Sequence, residues 1–514
     1  MTAPRRFLIV TFGCQMNVYD SGRLAALLEA RGWEPASGRE EADFVFLNTC
    51  SIREKAVQRV LARLRELAPL KRKRPGLVIG VGGCAAEQEG RELVRRAPAV
   101  DIVAGPRRLA DIPAALEAFT PGDPPVVMAG DSPLDCGAEE AGGLGARAAD
   151  PDPEGAEAAG GAGAAASAAP LPEPGQGAAG RRRGRRGPLI LAASEAKGPA
   201  PLSAFVTVME GCDNFCAYCV VPVLRGPERS RPPGHVLEEA RGLVLRGARE
   251  ITLLGQNVNS YRPAGAPHGE RGGAAFARLL RAAAEVPGLW RLRFTTSHPK
   301  DFPAELPGLF SSLPRLCPHI HLPLQAGSDR VLSLMGRGYT AEGFLGLLRR
   351  LRAEAPGAAV TTDVIVGFPG ETEEDFRRTL RVLEEAAFDS IFSFKYSDRP
   401  GTRALSLPGK VPEEEKAGRL TEVIRLQRGI SLGINRALEG TVQEVLVAGF
   451  GREPGQVSGR TGTNKIVNFA GPPELVGRLA LARITGSGPV SLKGEFLEEV
   501  PGPRPEPRAA GSAA

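Results

Sequence analysis

The chain is organised around the run Gly211-Cys-Asp-Asn-Phe-Cys-Ala-Tyr-Cys219, which sets three cysteines in a C-x3-C-x2-C spacing. Thiolates at this spacing can hold three irons of a cubic [4Fe-4S] cluster and leave the fourth iron without a protein ligand. A metal with an open coordination position can bind a small molecule, whereas a metal whose coordination shell is filled by the protein only stabilises the fold. Because the next cysteine is as distant as Cys317, the run is a poor match to an electron-carrying ferredoxin.

Three simpler explanations compete with an open cluster at Cys212, Cys216 and Cys219. The cysteines could form part of a zinc site, a redox C-x-x-C pair, or a set of buried thiols that pack as small hydrophobes. A zinc site needs a fourth ligand at short spacing, and no histidine lies between Cys219 and His235. The spacing and its flanks favour the open cluster.

The residues around the triplet resemble a known family. The run Phe205-Val-Thr-Val-Met-Glu-Gly-Cys-Asp-Asn-Phe-Cys-Ala-Tyr-Cys-Val-Val-Pro222, followed by Arg225-Gly226 and Glu228-Arg-Ser-Arg231, is similar to the radical S-adenosylmethionine methylthiotransferases. The resemblance implies that the open iron chelates the amino and carboxylate groups of S-adenosylmethionine. One-electron reduction would then produce a 5′-deoxyadenosyl radical.

Length and composition limit the remaining possibilities. A chain of 514 residues predicts about three domains. Eight cysteines in a chain of this length do not form a disulfide framework, and neither a secretory signal nor a run of about 18 apolar residues is present. Reduced thiols at ligand spacing therefore predict a cytoplasmic protein with no membrane association.

The first predicted domain, 5–125, is an open parallel α/β domain. Three short apolar runs suit buried parallel strands and alternate with helical segments. These runs are Phe7 to Phe12, Phe44 to Leu47 and Leu77 to Val81.

A cysteine follows the carboxyl end of each of these three strands: Cys14, Cys50 and Cys84. The carboxyl ends of parallel strands share one edge of a sheet, where ligands bind. Each cysteine could be an incidental buried thiol, but three in the same position predict a second three-cysteine metal site. Gly13-Cys-Gln-Met-Asn17 and Asn48-Thr-Cys-Ser-Ile-Arg53 resemble the amino-terminal domain of the methylthiotransferases. The resemblance implies that the three cysteines carry an auxiliary [4Fe-4S] cluster involved in sulfur delivery.

The central domain, 201–431, again alternates strands and helices, which predicts a partial (β/α)6 barrel. Its six predicted strands are Ala204 to Val208, Glu250 to Leu254, Arg291 to Thr295, Ile320 to Leu322, Val360 to Val366 and Ile391 to Phe394. Polar loops follow the strands, at the end of the barrel where active sites gather. The family resemblance implies that Gln256 and Asn257 contact the amino-acid part of S-adenosylmethionine. It also implies that the turn from Gly367 to Glu371 lies near the adenosine.

Other polar residues of the central domain receive structural roles. His319 and His321 share one face of a strand, and we expect them, like His298, to be hydrogen-bonded in the barrel interior rather than bound to metal. Cys317 is expected to be a core thiol. No catalytic residue is predicted beyond the cluster ligands, because an aromatic C–H is not acidic enough for ordinary base catalysis.

One segment precedes the central domain, and two follow it. Residues 131–200 are dominated by Gly, Ala, Pro and Glu and are predicted to be a disordered linker. Within it, Arg181-Arg-Arg-Gly-Arg-Arg186 could reach a phosphate backbone or be only a solvated charge run, and Cys136 receives no role. The domain 433–500 is predicted to be a small antiparallel β-barrel, and 501–514 a disordered tail.

The last domain carries a motif of its own, Ser458-Gly-Arg-Thr-Gly-Thr-Asn-Lys-Ile-Val-Asn-Phe469. It resembles the TRAM RNA-binding domain that ends the family, and without that match a polar hairpin turn explains it equally well. Arg460, Asn464 and Lys465 are predicted to contact phosphate or base. The formal net charge of +6 permits RNA binding without requiring it.

The full set of motifs resembles those methylthiotransferases that modify C2 of N6-isopentenyladenosine at position 37 of tRNA. The resemblance implies two [4Fe-4S] clusters, two molecules of S-adenosylmethionine, an electron donor such as a flavodoxin or ferredoxin, and a monomeric enzyme. Related members modify a ribosomal-protein aspartate or threonylcarbamoyladenosine in tRNA, and a non-enzymatic iron-sulfur RNA-binding protein is a further alternative.

Overall fold

The computed structural model describes residues 4–50, 54–129, 199–266 and 272–502. All of them belong to one compact unit of the chain, and a second unit, Cys136–Ile190, lies outside the described residues. The predicted linker and tail, with Arg181 to Arg186 and Cys136, also lie outside them, apart from 199–200 and 501–502. Among the described residues, no helix is both long and apolar enough to cross a membrane.

The amino-terminal region is a six-stranded, all-parallel sheet in the order β2-β1-β3-β4-β5-β6. Its elements are β1 Arg6–Phe12, α1 Gln15–Glu29, β2 Glu34–Pro35, β3 Phe44–Thr49, α2 Glu54–Lys73, β4 Val78–Gly83, α3 Cys84–Arg96, β5 Ile102–Ala104, α4 Ile112–Ala118 and β6 Val126–Met128. Strands β3 and β4 are buried along their whole length, as expected for central parallel strands. The three predicted strands are confirmed, whereas β2, β5 and β6, each of two or three residues, were too short to predict.

The centre of this sheet requires glycine at one position of β4. A Cβ atom on Gly82 would lie 2.2 Å from Cζ of Phe46 on the neighbouring strand, and Phe46 is fully buried. The ring therefore occupies the space that a side chain would need. This packing fixes the end of β4 immediately before Cys84.

The described part of the central region contains sixteen α-helices and β-strands. They are β7 Ser203–Thr207, β8 Met209–Glu210, α5 Val221–Arg225, β9 Arg229–Ser230, α6 Pro233–Leu245, β10 Glu250–Leu254, α7 Gly272–Ala284, β11 Arg291–Thr295, α8 Leu306–Ser312, β12 His319–His321, α9 Asp329–Met335, α10 Ala341–Glu354, β13 Ala359–Val366, α11 Glu373–Ala386, β14 Ser390–Lys395 and α12 Glu413–Arg436.

Six of these strands form two parallel three-stranded sheets, β7-β10-β11 and β12-β13-β14. A parallel bridge between Leu292 and Leu316 links β11 to the segment that leads into β12. One hydrophobic core fills both sheets and their helices. All six predicted strands are confirmed within one or two residues, and they form the predicted partial barrel with an open edge at β14.

The carboxyl-terminal region is a closed five-stranded barrel in the order β15-β16-β17-β19-β18. Its strands are β15 Val442–Phe450, β16 Gln456–Thr461, β17 Ile466–Ala470, β18 Leu479–Ser487 and β19 Ser491–Val500. Four pairings are antiparallel, as predicted, and the parallel pair β17–β19 closes the barrel. Strand β16 was not predicted, because Ser458, Gly459 and Arg460 give it little apolar character.

Candidate functional site

The first cysteine triplet lies in a loop held by its own backbone hydrogen bonds. The Cys212 amide donates to the Gly226 carbonyl (3.2 Å), and the Cys219 amide donates to the Cys216 carbonyl (3.0 Å). Gly211 has φ +77°, and a Cβ atom there would lie 2.1 Å from the carbonyl oxygen of Pro227. The loop therefore needs glycine before Cys212 in order to turn this tightly.

The thiols of the triplet are enclosed and have few polar partners. Arg337 Nη1 donates to Cys216 Sγ over 3.3 Å, and the Asn214 amide donates to Cys212 Sγ over 3.4 Å. Burial raises the pKa of Cys219 to about 12 and also raises the pKa of Cys212. Because desolvation disfavours a bare thiolate, these sulfurs suit a metal centre whose positive charge stabilises them.

The second cysteine triplet is brought together at the carboxyl edge of the amino-terminal sheet, as predicted. Cys50 and Cys84 are buried. A hydrogen bond with Cys50 lowers the pKa of the Cys14 thiol to about 6, against the effect of burial. Burial raises the pKa of Cys84, and the Arg225 guanidinium opposes that rise. Cys14 therefore interacts with both Cys50 and Cys84, although the three cysteines are far apart in the sequence.

Asn17 and Asn48 fix the loops that carry these cysteines. Asn17 Oδ1 accepts from both the amide and the thiol of Cys14, each over 3.3 Å. Asn17 Nδ2 donates to Asn48 Oδ1 over 3.0 Å, and Asn48 Nδ2 donates back to the Asn17 carbonyl over 2.9 Å. Both amides are buried, so they tie the start of α1 to the end of β3.

Both cysteine sets fit thiolate ligation of an iron-sulfur cluster. All six cysteines are free of disulfides. Among the described residues, no three His, Cys, Asp or Glu side chains are grouped so that they could hold a metal ion. A cubic cluster spreads its thiolates over different irons, so three thiols can ligate it without converging on one metal ion. Ligation by these six cysteines stays a prediction.

Residues next to each cysteine triplet meet at the interface between the amino-terminal and central regions. Helix α5 begins two residues after Cys219, and its Leu224, together with Val220, packs against Cys84. Met16 of α1 packs against Leu254 at the carboxyl end of β10. Cysteines from distant parts of the sequence are thus placed on either side of one contact surface.

The residues predicted to bind S-adenosylmethionine lie at the carboxyl ends of the barrel strands, where the structure gives them different surroundings. Asn257 is buried and holds the loop: its Nδ2 donates to Asp301 Oδ2 (2.7 Å), and its Oδ1 accepts from the His298 amide (3.1 Å). Gln256 Oε1 is buried without a hydrogen-bond partner, which leaves an acceptor for a ligand. Contact of either residue with S-adenosylmethionine stays a prediction.

The Gly367–Glu371 turn is held internally. Glu371 accepts a hydrogen bond from the Gly367 amide and forms a buried ion pair with Arg419 over 2.8 Å. Its other oxygen, Oε1, has no partner. Glu371 therefore shapes the turn, and its predicted proximity to the adenosine is untested.

Two further residues of this end of the barrel were missed from the sequence. Arg337 contacts a cluster cysteine, and its only sequence signal is the pair of flanking glycines, both with positive φ. Gln325 has φ 72°, and its buried Oε1 has no hydrogen-bond partner. Gln325 lies within the His321–Ser328 loop, at the end of the barrel where active sites gather. Its position as a polar residue in that loop was the sequence signal that could have identified it.

The histidines and Cys317 have the expected structural surroundings. His321 Nδ1 lies 3.1 Å from Thr361 Oγ1, and His321 Nε2 lies 3.3 Å from Asp363 Oδ2. His319 Nε2 also contacts Thr361, and burial lowers the pKa of His319 to about 3. Cys317 is buried, and burial raises its pKa to about 11.

The predicted RNA-contacting residues lie at the β16–β17 turn. Arg460 is exposed, and its Nη1 donates to the carbonyl and Oδ1 of Asn464. Lys465 is only 12% exposed, and its Nζ pairs with Asp389 over 2.6 Å. Lys465 therefore joins the barrel to the central region, and RNA contact by its ammonium group would require this ion pair to open. All three contacts with RNA stay predictions.

Three family models match successive parts of the chain: Uncharacterized protein family UPF0004 at residues 6–105, Radical SAM superfamily at 206–383, and TRAM domain at 436–497. Among solved structures, the radical S-adenosylmethionine methyltransferase TsrM from Kitasatospora setae is 15% identical, with a TM-score of 0.48, and the match covers 89% of this chain and 81% of that one. That similarity is too low to carry an argument.

Curated relatives match the chain along almost its whole length. A tRNA-2-methylthio-N(6)-dimethylallyladenosine synthase from Geotalea uraniireducens is 42% identical over 496 residues, which cover 96% of this chain and 100% of the relative. A protein of the same name from Desulfosudis oleivorans is 43% identical over 495 residues, which cover 93% of this chain and 94% of the relative. With this identity over this length, the chain belongs to the tRNA-2-methylthio-N(6)-dimethylallyladenosine synthase family, within the radical SAM superfamily.

Proposed function

We propose that the protein methylthiolates C2 of N6-isopentenyladenosine at position 37 of tRNA, using S-adenosylmethionine and two [4Fe-4S] clusters. The observation that carries this proposal is that Val220 and Leu224, which follow the first cysteine triplet, pack against Cys84 of the second. A sulfur-inserting enzyme needs a radical source and a sulfur source beside the same substrate. A single open cluster would supply only the first.

Cys212, Cys216 and Cys219 would hold one cluster, and Cys14, Cys50 and Cys84 would hold the other. When bound, the first supplies the electron that cleaves S-adenosylmethionine, and the second supplies the sulfur that is transferred. Arg337 donates to Cys216 and so orients that thiolate. Burial of Cys212, Cys216, Cys50 and Cys84 limits the access of water to these thiols, which would protect reactive species from side reactions.

The central region offers polar groups for the amino-acid part of S-adenosylmethionine. The unpartnered Oε1 of Gln256 and of Gln325 can accept hydrogen bonds from its ammonium group, since each amide oxygen has two lone pairs. A buried acceptor without a partner is costly, so a ligand that satisfies it gains affinity. Asn257, Gly367 and Glu371 would hold the loops around that ligand.

The RNA substrate would reach the site along the open edge of the partial barrel. Phe392 on β14 is 52% exposed, and its ring meets His321 edge to face at 5.8 Å. Exposed aromatic rings suit the stacking of unpaired bases, and an anticodon loop supplies such bases at little unstacking cost. Arg460 on the closed barrel is exposed and could approach phosphate from the solvent side, in exchange for its hydrogen bonds to Asn464.

The remaining partners follow from this chemistry. A one-electron donor such as a flavodoxin or ferredoxin is needed, because each reductive cleavage of S-adenosylmethionine would consume an electron that has to be resupplied. We further propose a monomeric, cytoplasmic enzyme, in keeping with a tRNA substrate. These points rest on the proposed activity alone.

The proposal is tested by anaerobic reconstitution, iron analysis and mass spectrometry of nucleosides from isopentenylated tRNA. We expect about eight irons per chain and a methylthiolated nucleoside. Changing either cysteine triplet to alanine should remove about four irons and abolish product, whereas Cys317→Ala should change neither. About four irons in the unaltered protein would refute the two-cluster claim.

The same assay separates the alternative functions. Threonylcarbamoyladenosine tRNA and the ribosomal protein are offered as competing substrates under identical conditions. Product on either of these and none on isopentenylated tRNA would refute the substrate assignment. Binding of tRNA without release of 5′-deoxyadenosine would indicate a non-enzymatic RNA-binding protein.

A further inference from the structure

A buried ion pair crosses the interface between the two cysteine triplets. Arg225, the last residue of α5, donates through Nη2 to Asp20 Oδ2 of α1 over 2.8 Å. The Arg225 side chain is 6% exposed and that of Asp20 is 1% exposed. The pair therefore joins the loop of one triplet to the helix that begins beside Cys14.

Docking of the two regions does not by itself account for the Arg225–Asp20 pair. Burying two charges costs several kcal/mol per ion before their attraction is counted, and apolar residues of the same volume often serve equally well. Asp20 Oδ1 also lacks any hydrogen-bond partner, so the carboxylate is not fully satisfied. A role for the charge of Arg225 beyond docking would account for a pair of this kind at this interface.

The surroundings of Arg225 indicate what that role is. Leu224, its neighbour on α5, packs against Cys84. The positive charge of Arg225 acts on the thiols of both Cys14 and Cys84, and in each case it lowers the pKa. Arg225 is thus next in the chain to a residue that contacts Cys84, and its partner Asp20 lies on the helix that begins beside Cys14.

The other charges near Arg225 are partly balanced among themselves. Arg23 of α1 pairs with Glu210 over 3.4 Å, and Glu210 also acts on Arg225. The net charge near Cys14 and Cys84 from these four side chains therefore depends mainly on Arg225 and Asp20. Changing one or the other changes the local charge by one unit in opposite directions.

We propose that Arg225 is a positioning residue of the sulfur-delivering centre: Asp20 fixes its guanidinium beside Cys14 and Cys84, where the positive charge stabilises thiolate-ligated iron and sets its reduction potential. The inference rests on the proposed function, because it takes the second triplet to be a cluster site. Hydrogen bonds and charge around ligating sulfurs are established determinants of cluster potential. A fixed positive charge favours the reduced, more negative form.

The same interface offers a matched control. Arg231 forms a buried ion pair with Glu239 over 2.7 Å, and it donates to Tyr19 Oη over 3.2 Å. The largest charge effects on Arg231 come from Tyr19, Glu239 and Glu210. Arg231→Gln therefore removes a buried ion pair within the central region and one hydrogen bond across the interface, at a site whose main charged neighbours are not the cysteines.

The test uses the full chain with Cys212, Cys216 and Cys219 changed to alanine, so that only the second triplet can bind iron. In this background we measure iron per chain and the midpoint potential by a titration followed by electron paramagnetic resonance. Arg225→Gln is expected to lower the potential and Asp20→Asn to raise it, because they change the local charge in opposite directions. Arg225→Lys should stay near the background value, and Arg231→Gln should not move the potential.

Shifts of the same sign in Arg225→Gln and Asp20→Asn, or no shift in either, would overturn the inference. So would an equal effect of Arg231→Gln, which would reduce Arg225 to a docking residue. Should Arg225→Gln retain too little iron for titration, Asp20→Asn and Arg225→Lys give the potential, and an unchanged Asp20→Asn value overturns the proposal. Failure of the proposed function would differ, since the background protein would then bind no iron at all.

Discussion

Replacing Arg293 with methionine is expected to loosen the closed barrel, 442–500, from the central region. Arg293 on β11 donates to the carbonyl oxygens of Thr461 (2.8 Å) and Gly462 (2.9 Å) at the end of β16. Its Nε also pairs with Glu250 of β10 over 2.7 Å, and both side chains are buried. One side chain therefore bridges the core and the barrel.

The magnitude follows from the buried charge that the substitution leaves behind. Removing one partner of a buried ion pair costs about 3–5 kcal/mol, because the other charge stays unpaired. This corresponds to an increase of roughly two to three and a half orders of magnitude in the opening equilibrium. Adding Glu250→Gln should recover part of the loss, since the amide is neutral and can still accept from Ser203, which donates to Glu250 over 3.0 Å.

Hydrogen exchange at the Thr461 amide is the assay, because that amide donates to the Lys465 carbonyl within the barrel. We expect its protection to fall in Arg293→Met and to recover partly in the double variant. Arg483→Met, at an exposed position of β18, is the control and should cost within about 0.5 kcal/mol. An Arg293→Met effect no larger than the control, or no recovery on adding Glu250→Gln, would refute the reasoning.

Two further substitutions test the packing and the charge around the site. Gly82→Ala would place Cβ 2.2 Å from Cζ of buried Phe46, so we expect the free energy of unfolding to fall by about 1–3 kcal/mol and less iron to bind at the second triplet. Gly76→Ala is the control, because the space around Gly76 is open, and it should change neither quantity. Equal iron contents in the two variants would contradict the packing argument. Burial raises the pKa of Glu228 from 4.5 to about 7. Between these two pH values the folded state keeps a proton on this carboxyl that the unfolded state releases. The stability of the fold therefore decreases as the pH rises from 4.5 to about 7. Glu228→Gln should therefore raise the melting temperature relative to the unaltered protein more at pH 8 than at pH 5, with Ser260 still able to donate to the amide oxygen; a difference that is independent of pH would contradict this.

Local patterns in the sequence determined most of the architecture. The C-x3-C-x2-C triplet could be interpreted at once, because ligands on one loop must converge whatever the rest of the chain does. The six strands of the partial barrel were also predicted, since buried parallel strands are continuous apolar runs with turns between them. Short elements such as β5 and the polar strand β16 were missed, because pairing with neighbours rather than composition makes them strands.

The roles of single polar side chains were less predictable. Lys465 suits RNA by its charge, yet it is paired with Asp389, a contact between residues far apart in the sequence. Arg337 has no recognisable motif, yet it donates to Cys216. In each case the residue that the side chain contacts depends on how distant segments of the chain pack together. Local sequence patterns do not contain this information.

The sequence by itself determined the family, the six candidate ligands and the order of the three regions. Only the tertiary structure decided that Cys14 interacts with both Cys50 and Cys84, and that Cys84 packs against Val220 and Leu224, just after the loop of Cys212, Cys216 and Cys219. It also placed Asp20 and Arg225, distant in the chain, as a buried pair between them. The physical reason is range: spacing within a loop fixes geometry over a few residues, whereas convergence across a sheet edge and a domain contact depends on packing of the whole chain.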